Sequence, residues 1–392
     1  MSEIKLEEAV LLPSGFRFGE VSSLTALRAI SSSVPSLGPL ADFTGTFTGN
    51  GFNTIFRPDS PATPTPLPIP VSGSDNVLEL NLTADTISFS KSIGSVPNRG
   101  MVQGDIFLNG VPYLQTVSDI TIPSQPTGIH LEPGLWMIAP PTTDPAEGTT
   151  LVRMASIPHG TTVVAQGTSS TINGKPTIPV VDITPFSTAT PTNKIPFPSQ
   201  NASLNNTARI PQDLASFIAA GTITQAMLTD PNTVLRNHIA SQNIVSTTTI
   251  SISTSPGAPL FGGGADNIAF LLGDAAALTN PGAAGPNAQT LKMTATFWIE
   301  TVERVIIVPI FKSGQPPLTI RAETGQAGQP VPKFLVNPPI EIPEPRTITV
   351  RATQIQYSQQ VFLNFNTLTW PHVSVATLVP SDAISVPPSV WT

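Results

Sequence analysis

The chain has 392 residues, 40% of them hydrophobic and only 11% charged, with a formal net charge of −7 and no cysteine. This balance excludes charge-driven disorder, disulfides, thiolate catalysis and cysteine metal sites, and it offers no basic stripe for nucleic acid. The 43 prolines interrupt long helices and central strands, so long ordered arms between short strands are expected.

Residues 1–8 are charged with no apolar run behind them, so no signal peptide is expected. No stretch of about 18 apolar residues exists to span a membrane. A soluble, cytoplasmic protein is the simplest expectation. Residues 1–40 read as an arm, with one short helix over 22–33 that Pro35 and Pro39 end.

Residues 41–184 read as the first part of a barrel, with strand character from Gly45. Leu78, Leu80 and Leu82 share one face, Glu79 and Asn81 the other, and Ile87 and Phe89 repeat the pattern after a turn expected over 83–86. This period of two marks half-buried antiparallel strands. Similar strands are expected near 105–117, 127–137, 150–156 and 161–167.

Residues 185–290 read mostly as an insertion, with helices expected over 211–220 and 231–241 and a strand over 244–253. Asp230 is the expected N-cap of the second helix and Pro231 its first residue. The barrel resumes over 291–380, interrupted by a proline-rich stretch at 308–345, and 381–392 forms a tail. In 347–365, Ile348, Val350 and Ala352 share one parity and Ile355, Tyr357, Val361 and Leu363 the other, so a bulge near Thr353 is expected. The last strand covers 372–378.

Three stretches carry candidate chemistry. Gly45-Thr46-Phe47-Thr48-Gly49-Asn50-Gly51 can bend and admit a close neighbour. In Gly128–Trp136, strand geometry puts His130, Glu132, Gly134 and Trp136 on one face. They line a polar pocket, or His130 and Glu132 simply satisfy each other. In 368–378, His372, Ser374, Ala376 and Leu378 share a face. Small residues beside a histidine leave room for a flat ligand, although a lone strand histidine also serves structure.

In this order the three stretches resemble the nitrobindin family of heme-binding β-barrels, related in shape to fatty-acid-binding proteins. Gly45-Thr46-Phe47-x-Gly49-x-Gly51 is similar to its opening strand, with Phe47 for tryptophan and Arg57 intruding before Pro58. His130-x-Glu132-x-Gly134 is similar to its middle strand, and His372 to its iron-ligating histidine. The chain also resembles longer bacterial and fungal heme-binding proteins. The resemblance covers 41–170 and 345–380. It implies a mainly β, antiparallel up-and-down barrel with a partly helical insertion and proline-rich arms.

The resemblance further implies heme b as cofactor, held by its iron on His372. Trp136, Ser374 and Ala376 would line the heme, and Arg99, Arg57 or Arg153 would meet its propionates. A gaseous or peroxide ligand would take the open iron position. His159, at a turn, and the His130–Glu132 pair are the expected distal catalytic groups, for weak peroxidase or nitrogen-oxide chemistry such as peroxynitrite isomerisation. A heme-free, lipocalin-like barrel for a lipophilic small molecule is the alternative. His238 is expected to be exposed or locally packed. The insertion is expected to cap the barrel, in a homodimer.

Overall fold

The computed structural model describes residues 34–257, 259, 262–273, 285–323 and 328–391. Most of the expected N-terminal arm, including its helix over 22–33, therefore lies outside the described residues. Ten strands form the barrel: β1 (Gly45–Pro58), β2 (Asn76–Phe89), β3 (Ile106–Asp119), β4 (Thr127–Ala139), β5 (Thr150–Ser156), β6 (Thr161–Asn173), β7 (Asn243–Ser253), β8 (Gln289–Val308), β9 (Arg346–Phe365) and β10 (Leu368–Pro380). Each pairs antiparallel with the next, and β10 pairs back onto β1. The result is the expected up-and-down barrel, closed and without a free edge among these strands.

Strand parity assigns the two faces of the wall. The register sets Phe47 opposite Ile87, and Asn53 opposite both Asn81 and Ser374. These side chains point inward, whereas Phe52 and Phe56 point outward. One end of the interior is an apolar plug. Leu40, on the short 3-10 turn Gly38–Leu40, packs there with Phe43, Phe47, Phe89, Trp136 and Phe297. Toward the other end the inward residues become polar, and that end carries the histidines.

Much of the outside is also covered. Phe52, Phe56, Leu78, Leu80, Trp298, Val373 and Val375 face outward and are buried under residues 178–239. That cover includes three helices, α1 (Ala215–Ala220), α2 (Gln225–Thr229) and α3 (Thr233–Ile239). Met227, Leu228, Leu235 and Ile239 supply its buried contacts. The apolar surface of the insertion thus packs on the barrel as a wall covering, in place of the cap expected over its end. β8 and β9, each 20 residues long, run on beyond the barrel. Their outward Ile306, Val308, Ile348 and Val350 meet a small sheet made of Leu318–Arg321, Lys333–Val336 and Ile384–Ser385.

Four sequence expectations change. β2 runs unbroken through 83–86, where a turn was expected. β8 and β9 stay in continuous register through Thr353, without the expected bulge. In both strands the apolar residues switch faces because the covered face switches, and the backbone does not slip. The stretch 185–290 is not one insertion: β7 belongs to the barrel, and Gly264–Asn267 pairs with β6. Asn232, and not Asp230, stands at the N-cap of α3. Asp230 Oδ1 instead accepts the backbone N–H groups of Asn232 (3.1 Å) and Val181 (3.0 Å), tying the helix start to the covering layer.

Candidate functional site: the histidine end of the barrel

β10 begins at a tight turn through Asn366 and Thr367, both with positive φ. Alternation then aims His372, Ser374 and Ala376 inward. Asn53, on β1, donates from Nδ2 to His372 Nε2 (2.8 Å) and to Ser374 Oγ (2.7 Å), and its Oδ1 accepts from Asn81 (3.2 Å). Accepting a hydrogen bond at Nε2 requires a neutral ring with its proton on Nδ1. Electrostatics agree: burial, and then the neighbouring His130 and His159, push the His372 pKa down to about 3. His372 is half-buried at this position.

His130, on β4, and His159, in the turn between β5 and β6, meet edge to face with ring centroids 5.4 Å apart. Burial and the charge of His130 lower the pKa of His159. His130 Nε2 lies 3.1 Å from Glu132 Oε2. The other oxygen of Glu132 accepts from Tyr113 and Arg153. Burial alone would raise the Glu132 pKa, but Arg153 and His130 hold it down to about 2. Arg153 also donates to Tyr113 (2.8 Å) and Gln359 (2.7 Å), and its guanidinium lies within 6 Å of the rings of Tyr113, Trp136 and Phe297. Beside this network Tyr357 donates to Asp85, and Gln115 donates to Tyr357 (3.1 Å). Burial pushes the Asp85 pKa up to about 6.

The histidine end therefore has a polar floor, with His372 on one side and the His130–His159 pair electrostatically coupled to it. Among the described residues no group of three or more histidines and carboxylates converges closely enough to hold a bare metal ion. The structure places His130, Glu132, His372 and Ser374 toward one end of the barrel, with His159 exposed on its turn against His130. Ala376 is fully buried and lies against Gly51, so it is part of the packed wall. Trp136 shares the face of His130 but lies in the apolar plug, with ring centroids 5.5 Å from Phe43 and 5.1 Å from Phe297.

None of the expected propionate partners is an uncommitted cation at this end, although Arg57 stands four residues beyond Asn53 on β1. Arg99 is exposed and faces Asp105 at 3.8 Å, and Arg57 pairs with Glu79 at 2.8 Å. Arg153 does face inward, but Glu132 engages it. His238 packs locally, outside the barrel, near Gln354 (3.3 Å).

Sequence reasoning missed Asn53, Asn81, Asp85, Tyr113, Gln115, Tyr357 and Gln359. Parity carried a signal for Asn53 and Asp85: each is polar at a position in phase with the inward Phe47 or Ile87. Among the described residues no helix is long and apolar enough to cross a membrane. No family model, curated protein or solved structure matches this chain.

Proposed function

We propose that the barrel binds a small ligand at its histidine end, and that the ligand is heme held through His372. The observation that carries this reading is His372 itself: on the inward face of β10, accepting at Nε2 as a neutral ring, and near enough to His130 and His159 to feel their charge. A neutral imidazole is the form that ligates iron. When bound, heme would supply an iron with one open position for a diatomic or a peroxide. On the chain's side, His130 has one nitrogen directed at Glu132 and leaves Nδ1 available to hold or pass a proton. The uncharged form that burial favours in His159 can accept a hydrogen bond beside it. Ser374 and Asn53 border the ring of His372 and set its orientation. Propionates would have to face solvent or backbone, because the inward Arg153 is already paired.

One observation favours a second reading. Asn53 already donates to Nε2, the atom that would ligate iron. A heme-free barrel would use the Asn53–His372–Ser374 set to orient a small molecule by hydrogen bonds. A hemin titration of wild type and Asn53→Ala, followed by absorbance, separates the two. Heme ligation predicts saturable one-to-one binding that Asn53→Ala leaves equal or tighter, because Nε2 is freed. Absence of hemin binding by wild type would remove the heme reading and leave the second.

A further inference from the structure

A groove of about 680 Å³ lies where β1, β2 and β10 face residues 321–322 and 328–333 of the small sheet. Arg321 and Lys333 line it, and they are direct cross-strand partners in the ladder of Leu318–Arg321 with Lys333–Val336. Directly paired side chains project from the same face, so two cations stand side by side, an arrangement that costs stability unless an anion compensates it. None does so among the described residues. Arg57, Arg99, Arg153, Arg236 and Arg351 each face a carboxylate, whereas Arg321 and Lys333 form no ion pair. Asp85, the one carboxylate of the lining, is buried and accepts from Tyr357, and neither it nor the nearby Glu323 and Asp382 pairs with either cation.

Three hydroxyls of the lining suit an anion. Thr48, Thr86 and Ser381 line the groove, and their hydroxyls make no hydrogen bond among the described residues. Asn50 helps close it by donating to the Gly328 carbonyl (3.0 Å). A guanidinium fork, an ammonium and free hydroxyl donors together recognise a tetrahedral oxyanion carrying two charges. We propose that this groove is a phosphate-binding site, for inorganic phosphate or the phosphate of a small organic monoester. It shares only Asp85 with the network beside the histidine end and does not depend on the ligand assigned there.

Calorimetric titration of the full chain in oxyanion-free buffer, with inorganic phosphate and with glycerol phosphate, tests the proposal. Saturable binding that weakens with added sodium chloride is expected. Both cations are exposed, so Arg321→Ala and Lys333→Ala should keep the wild-type circular dichroism. Each should weaken binding about tenfold, the loss of one charge-assisted hydrogen bond. Tighter binding of glycerol phosphate assigns the groove to organic monoesters, and equal or weaker binding assigns it to the free ion. No saturable binding of either probe, or unchanged affinity in the Arg321→Ala/Lys333→Ala double variant, would overturn the site.

Discussion

At the scale of the residue, the histidine end is held by charges and spaces that one atom can upset. Gly134 faces the Tyr113 ring so closely that an added Cβ would lie 2.4 Å from it. This explains the glycine two residues after Glu132: it admits the phenol that donates to that carboxylate. Gly134→Ala should lower stability by about 1–3 kcal/mol in chemical denaturation, the usual cost of overpacking. A neutral effect would mean that the ring has room to move. His372 makes a second prediction. Its ordinary pKa of 6.5 applies to the unfolded chain, and about 3 to the folded one. Between those values the unfolded chain binds the extra proton, so stability is present above pH 6.5 and is lost as the pH falls toward 3. Wild type should therefore lose more Tm between pH 7 and 4.5 than His372→Gln does, and equal losses would refute the buried neutral ring.

At the scale of the element, two strands explain what the sequence could and could not tell. The period of two in β2 and β9 was legible and gave the right strands. The change of parity inside each was legible too, but it has two physical causes that look identical in a sequence. A bulge moves side chains to the other face; a covering layer changes which face is dry. In β2, Leu78 and Leu80 lie under the insertion, while Ile87 and Phe89 enter the plug. In β9, Ile348 and Val350 meet the small sheet before Ile355 and Tyr357 turn into the barrel. Only long-range packing separates the two causes. The same packing buries Glu300 of β8 beneath the loop after α3, where Gln354 donates to it (2.6 Å) and joins it to Gln242, His238 and Arg304. Burial pushes the Glu300 pKa up to about 8, and its Oε1 has no hydrogen-bond partner among the described residues. The folded chain then holds a proton that the unfolded chain releases above about 4.5, so this carboxyl's contribution is full below 4.5 and is lost as the pH rises to 8. Glu300→Gln should gain stability over wild type on going from pH 5 to pH 8, on the order of a few kcal/mol. A pH-independent difference between the two would contradict a protonated Glu300.

At the scale of the whole molecule, the barrel is inverted along its axis. At one end the interior is apolar, plugged by Leu40, Phe43 and Trp136. At the other the interior is polar, and the apolar residues of the same wall face outward under residues 178–239. A closed wall removes the edges that would otherwise pair with other chains. The outer cover dries the wall and leaves the interior of the histidine end to polar side chains. The candidate site was legible where one side chain signals by type, as with His130, Glu132, His159 and His372. It was not legible where Asn53 or Tyr357 acts through a partner hundreds of residues away, because those contacts exist only once β1, β9 and β10 are adjacent. The visible absorption spectrum of the protein purified from cells supplied with heme, measured beside His372→Ala, tests the central claim most directly. The account predicts a Soret band at one heme per chain that is shifted or lost in the variant. A colourless wild type that takes up no added hemin, or a variant with an unchanged spectrum, would contradict it.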